Sequence, residues 1–208
     1  MENVLDVYQR PYDPRRPVVG MDEQPKQLIS ETRTPWPCRP GAAAKVDYEY
    51  RRHGVVNVWM FSEPLTGWRS VKVTPRRTAI DWAHQMRDLV DRHYPKAERI
   101  TVVLDNLNTH HLASLYAAFE PAEAQRIARR LELVYTPKHG SWLNVAEIEL
   151  SVLSRQCLSR RMPNLAMIQQ EAQAWATRRN AQESRIDWRF TTDKARIKLK
   201  RLYPRIET

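Results

Sequence analysis

Five consecutive apolar or β-branched residues, Ile100-Thr101-Val102-Val103-Leu104, run straight into a carboxylate at Asp105. The run is too short for a helix and too uniform for a strand with one wet face. It reads as a central strand covered on both sides, as in a parallel α/β sheet. Its continuation, Asn106-Leu107-Asn108-Thr109-His110-His111, is polar and turn-rich. Strand ends in open α/β sheets are where ligands and chemistry collect, so Asp105 stands on rigid backbone at a place suited to both. Taken alone, the stretch leaves open that Asp105 merely begins a turn.

The flanking pattern sets this strand in an order of elements. Residues 1–17 carry Pro11, Pro14 and Pro17 among charges and read as a linker or arm. Residues 17–23 form a short strand ending in acids, and 27–32 can pair back on it. Three prolines between Arg33 and Lys45 make that stretch a loop, since proline lacks the N–H that a ladder needs. Val58 to Phe61 is a buried strand, Pro64 to Gly67 a turn, and Arg69 to Thr74 its hairpin partner. Ile80, Ala83, Met86 and Val90 recur at helical spacing through Thr78 to His93. After the central strand come helical pieces at 112–119 and 121–130, a strand at 131–135, helices at 144–158 and 165–179, and a basic helix at 191–202. Antiparallel strands, a helix, a central strand, helices, a last strand and more helices are the succession of a ribonuclease-H-like fold of the retroviral-integrase type, a mixed sheet flanked by helices. The expected division is an arm to residue 17, one α/β domain over 18–185 and a basic tail over 186–208. In such a fold the first and central strands are neighbours, which brings Asp22 beside Asp105.

Composition narrows the chemistry. With 208 residues, 42% of them hydrophobic, one domain with a sizeable core is expected. Thirty-four Lys and Arg against 24 Asp and Glu give a net charge of +10, a surface that attracts polyanions such as nucleic acid. Five glycines are too few and too scattered for a phosphate cradle, a nucleophile elbow or a dinucleotide fingerprint. No apolar run approaches the roughly 20 residues of a membrane span, and the Pro-rich start is unlike a signal peptide. Two cysteines without metal-ligand spacing fit a reducing cytoplasm.

A third acid follows the last strand. In Trp142-Leu143-Asn144-Val145-Ala146-Glu147 a helix opens on which Asn144, Glu147, Ser151 and Arg155 recur at steps of three and four, forming one polar face. Glu149 points roughly 200° away from Glu147 at 3.6 residues per turn and is expected at the surface or flanking the site. Three carboxylates do not share a pocket unaided, since a like-charged pair about 4 Å apart repels by roughly 4 kcal/mol at an effective dielectric near 20. Hard oxygen ligands of this kind suit Mg²⁺ or Mn²⁺. Two such ions would activate a water or a 3′-hydroxyl and stabilise the leaving oxygen of a phosphodiester.

Met21-Asp22-Glu23, Leu104-Asp105-Asn106-Leu107-Asn108-Thr109-His110 and His139-Gly140-Ser141-Trp142-Leu143-Asn144-Val145-Ala146-Glu147 together resemble the three motifs of bacterial mariner-superfamily transposases, and within them the insertion-sequence 630 family. The likeness extends to Val46-Asp47-Tyr48-Glu49-Tyr50 and Asp187-Trp188-Arg189-Phe190-Thr191-Thr192. It implies that Asp22, Asp105 and Glu147 are the catalytic, metal-binding triad, holding two Mg²⁺ ions with Mn²⁺ as a substitute. It also implies cleavage at the ends of a mobile element and joining of the 3′-hydroxyls to double-stranded target DNA, commonly at TA, by a homodimer assembled on DNA in the bacterial cytoplasm, at the nucleoid. The interval from Asp105 to Glu147 is longer than is usual for mariner-type enzymes, with the excess expected between Phe119 and Arg130. The family's N-terminal helix-turn-helix region is expected to be absent, since the sequence opens just before the first catalytic strand.

Around the triad, Asn106, His110 and Asn144 are expected to support the site, with His110 orienting Asp105 or touching DNA. Lys138, His139, Arg155, Lys194, Arg196, Lys198, Lys200 and Arg201 are the expected phosphate contacts. His84-Gln85-Met86-Arg87 matches the His-x-x-Arg of tyrosine recombinases in form, but it lies mid-helix with no downstream nucleophile to match. A non-catalytic DNA-binding derivative of a transposase is the competing reading, and the intact acids weigh against it.

Overall fold

The computed structural model describes residues 1–203, so the last five residues of the expected tail lie outside the described residues. Its centre is a five-stranded sheet in the order β3-β2-β1-β4-β5. β1 (Val18–Glu31), β2 (Tyr50–Glu63) and β3 (Trp68–Thr74) are antiparallel, whereas β4 (Ile100–Leu104) and β5 (Leu131–Tyr135) join β1 in parallel. This is the mixed, ribonuclease-H-like sheet that the sequence pattern predicts. All five residues of β4 are buried, as the uniform run requires.

Two expectations are corrected. The strands at 17–23 and 27–32 are one continuous strand, which pairs with β2 rather than folding back on itself, with a bulge between Gln27 and Ile29. Pro25 is tolerated because the ladder to β4 ends at Gly20, leaving β1 with β2 alone on this stretch. The start of the expected arm is a helix, α1 (Glu2–Tyr8), because Val4, Leu5, Val7 and Tyr8 form an apolar stripe ahead of the first proline. All four are buried, in a cluster with Val134, Leu143, Val145 and Ala195. By contrast, 33–45 is the expected loop, with only the isolated bridges Trp36–Lys45 and Arg39–Ala42.

Helices cover both faces of the sheet. On one side α2 (Ala79–Asp88), continued by a wider turn to His93, lies with α3 (Ala113–Ala118) and α4 (Pro121–Arg129) over Met21, Trp59, Ile100, Val102 and Leu104. Thr78 caps α2 reciprocally with Asp81, two of the orphan N–H groups being satisfied at once. On the other side α5 (Val145–Gln156) and α6 (Leu165–Ala181) cover Val58, Met60, Val71 and Val73. A last helix, α7 (Thr192–Lys198), sits against α1, where Arg196 pairs with Glu2 and the Thr192 hydroxyl donates to Asp6. Among the described residues no helix is long and apolar enough to cross a membrane.

One close approach fixes how α5 meets the sheet. A Cβ on Gly20 would stand 2.4 Å from Val145 Cγ2 and 3.0 Å from the Ala146 backbone nitrogen. Only a residue without a side chain lets the helix start this near β1. Gly20→Ala is therefore expected to lower stability by about 1–3 kcal/mol through overpacking, read as a shift in the urea midpoint at unchanged slope.

Candidate active site

Asp22 and Asp105 owe their proximity to register. The parallel ladder pairs Val18 with Thr101, Val19 with Val102 and Gly20 with Val103. The same offset carried two residues further, past the end of the ladder, sets Asp22 opposite Asp105. Side chains alternate along a strand, so Asp22 shares the α5 side with Gly20, and Glu23 shares the α2 side with Met21. Asp22 is half-buried, and its Oδ1 accepts from the Glu23 backbone N–H at 2.8 Å. Burial raises its carboxyl to about 7 against that hydrogen bond, helped by the charges of Glu23, Asp105 and Glu147.

Glu147 lies in the first turn of α5 and is exposed. The helix is held by Asn144, whose side chain is wholly buried and works in two directions. Its Oδ1 caps the helix by accepting from the Ala146 N–H at 3.1 Å, and its Nδ2 donates to the Met21 carbonyl at 2.8 Å. The helix start is thereby tied to the residue before Asp22. Tyr8 adds a third tie, its hydroxyl accepting from the Val145 N–H at 3.2 Å.

Glu149, expected at the surface or flanking the site, is buried. Its carboxylate lies 2.8 Å from Nε of the fully buried Arg69 and accepts from Arg179 at 2.9 and 3.2 Å. Arg69 also donates to the carbonyls of Gly67 and Ser184. The two glutamates of α5 thus face opposite environments, as the helical period requires.

His110 supports Asp105 directly. Its Nδ1 is 2.6 Å from Asp105 Oδ1, and its Nε2 is 3.2 Å from Glu23 Oε2, the latter a charge contact poorly aligned for a hydrogen bond. Burial pushes the imidazole down, but the two carboxylates outweigh it and hold it at about 9. The Tyr135 hydroxyl donates to the His110 carbonyl at 2.7 Å and steadies the loop. Glu23, Asp105 and His110 offer ligand atoms within 4.8 Å of one another, a group capable of holding a divalent ion. Glu23 escaped sequence reasoning; its one signal was an acid next to Asp22 on an alternating strand.

A cleft of about 430 Å³ opens beside Asp105, lined by Asn106, Thr136, Lys138, His139 and Ser141 among others. Lys138 and His139 form the tip of a tight turn closed by the Gly140 N–H donating to the Pro137 carbonyl at 2.8 Å. His139 sits there at φ 62°, a conformation that L residues rarely adopt. Leu202 lines a neighbouring pocket with Lys138 and His139, so the basic C-terminal turn lies next to this loop. Of the expected phosphate contacts, Lys194 donates to the Arg189 carbonyl and Arg196 is engaged by Glu2. Lys198, Lys200 and Arg201 are exposed and form no ion pair among the described residues; Arg155 is exposed on α5.

The profile of a family described as DDE superfamily endonuclease matches residues 17–169. Among solved structures, the Mos1 mariner paired-end complex with Mn aligns with a TM-score of 0.56 at 14% identity, over 88% of this chain and 56% of that one. The Mos1 transposase paired-end complex with left transposon end aligns with a TM-score of 0.43 at 12% identity, over 89% and 61%. At such identity the first likeness establishes a shared fold. The present chain spans little more than half the length of the Mos1 chain it matches. Comparison with curated proteins finds no significant match.

The two glutamates of α5 should separate cleanly on substitution. Glu149→Ala leaves Arg69 buried without its partner and is expected to cost about 3–5 kcal/mol. Glu147→Ala, at an exposed position, should stay within about 0.5 kcal/mol. Paired urea denaturation curves measure both.

Proposed function

The chain belongs to the DDE superfamily of endonucleases, and we propose from this that it is the catalytic domain of a transposase of the insertion-sequence 630 branch, cutting and joining double-stranded DNA at element ends. The reading rests above all on one observation, the β1–β4 register ending at Gly20 and Val103, whose offset sets Asp22 opposite Asp105 two residues further on, with the charge of Glu147 bearing on Asp22. Asp22, Asp105 and Glu147 are assigned as the ligands of two Mg²⁺ ions, replaceable by Mn²⁺.

The donor set fits such ions by its chemistry. The group whose ligand atoms all lie within 4.8 Å of one another among the described residues is Glu23, Asp105 and His110, and the three assigned ligands do not close to that spacing. All three residues offer hard carboxylate oxygens, and Oδ2 of Asp105 has no hydrogen-bond partner among the described residues. Mutual repulsion among the acids is what a divalent cation relieves. Bound there, the ions would polarise the scissile phosphodiester and activate the attacking hydroxyl. The protein's own part is positional. Asn144 keeps the start of α5 on β1, so that Glu147 stays with Asp22. His110 holds one oxygen of Asp105 and leaves the other free. Lys138 and His139, at the tip of the turn beside Asp105, are assigned to the DNA phosphates, and Asn106 on the cleft wall to the support of the site. A homodimer assembled on two DNA ends, with target joining at TA, completes the proposal.

With Mg²⁺ or Mn²⁺ the chain is expected to nick supercoiled DNA. Asp105→Asn, which removes a charged ligand but keeps the shape, should abolish nicking while leaving the circular dichroism spectrum unchanged. Nicking at wild-type rate by the Asn variant would refute the assignment.

DNA affinity should fall steeply with salt, by about 0.9 in log–log slope for each phosphate neutralised. Replacing Lys200 and Arg201 by Ala is expected to flatten that slope by about one to two. Replacing Lys194 and Arg196, which already bind Arg189 and Glu2, should change the slope less and thermal stability more. Fluorescence titrations at several salt concentrations, beside melting curves, distinguish the two pairs.

A further inference from the structure

Glu23 is not among the assigned ligands, yet its side chain is only 3% exposed. It leaves β1 on the side opposite Asp22, toward the core under α2, where an unpaired carboxylate is costly. Two groups meet it there. Arg77 reaches its Oε1 at 3.5 Å from a half-exposed position, and His110 Nε2 stands 3.2 Å from Oε2. His110 is wholly buried and lies nearly parallel to Trp82, at 28° with ring centroids 6.1 Å apart. Its other nitrogen touches Asp105 Oδ1 at 2.6 Å. The imidazole is therefore held by a stacked ring on its face and by two carboxylates that themselves approach within 4.8 Å of each other.

These three residues offer ligand atoms within 4.8 Å of one another, but the contact between His110 Nδ1 and Asp105 Oδ1 is not the spacing of two ligands on one ion. Two ligand atoms each about 2.1 Å from one octahedral ion lie about 3 Å apart, farther than the Nδ1 to Oδ1 separation.

We propose that Glu23 is a positioning residue, which acts through His110 to set the orientation of the Asp105 carboxylate for metal binding. The inference rests on the assignment of Asp105 as a metal ligand. Neighbouring residues on β1 thus serve the site from both faces of the sheet, Asp22 as a ligand and Glu23 as the far anchor of the histidine behind the other ligand. Losing an anchor of this kind in metalloproteins lowers metal affinity by about 10- to 100-fold.

The test is Mn²⁺ binding, followed by electron paramagnetic resonance of free Mn²⁺, in wild type, Glu23→Met, Glu23→Gln and Asp105→Asn. Met keeps the length without an acceptor, whereas Gln keeps an acceptor oxygen. Affinity is expected to fall in the order wild type, Glu23→Gln, Glu23→Met, with the last about 10- to 100-fold weaker and the Gln variant several-fold weaker than wild type. A purely structural role would move the melting temperature and leave that order flat. Wild-type Mn²⁺ affinity in a folded Glu23→Met protein overturns the proposal. If Glu23→Met does not fold, wild-type affinity in Glu23→Gln overturns it instead. Asp105→Asn separates the two levels of argument. If it binds Mn²⁺ as wild type does, the ligand assignment fails and this proposal with it. If Asp105→Asn loses Mn²⁺ and the Glu23 variants keep it, only the role of Glu23 is refuted.

Discussion

The site depends on the parallel pairing of β1 with β4. Three residue pairs suffice to define it, and their offset sets Asp22 against Asp105 two residues past the end of the ladder. A slip of one residue would turn Asp22 onto the α2 face and bring Glu23 to the α5 face. Such a slip would also drive Met21 out of the core it shares with Trp59 and Trp82. The hydrophobic pattern of β1 therefore protects the placement of its acid.

The third acid is held by different means. α5 is brought against β1 because Gly20 has no side chain, and it is tied there by Asn144 through one hydrogen bond to its own second residue and one to Met21. At its middle, Glu149 locks the helix to Arg69 of β3 and Arg179 of α6. A buried ion pair is weak evidence for stability in itself, but removing one partner is strongly destabilising. Here it also fixes the rotation of α5, and with it the direction in which Glu147 faces. The polar core of the protein and the exposed acid of the site are set by one helix.

Charge is divided between structure and surface. Arg69 and Arg179 are held by the buried Glu149, whereas Arg126 pairs at the surface with Asp91 and Glu123, and Arg196 with Glu2. Four arginines stand against four carboxylates in these pairs, so the net excess of +10 rests on the remaining residues. Lys138 and His139 lie next to the C-terminal turn that carries Lys200 and Arg201.

The central strand, the hairpin, the order of helices and the motif acids were legible in the sequence, because each is written in local pattern. Five apolar residues specify a buried strand, and a step of three or four specifies a helix face. That Glu147 and Glu149 face apart follows from helical geometry alone. What sequence could not decide was which face meets which neighbour. Glu149 was expected at or near the surface, yet it is buried, because its partners Arg69 and Arg179 come from elements far off in the chain. The helix at residues 2–8 was hidden by the prolines that follow it, and its burial depends on α7 at the other end of the sequence. Glu23 became visible only once the fold brought His110 between it and Asp105. Local periodicity determines the elements, but long-range packing decides which charged side chains are buried, paired and set to work.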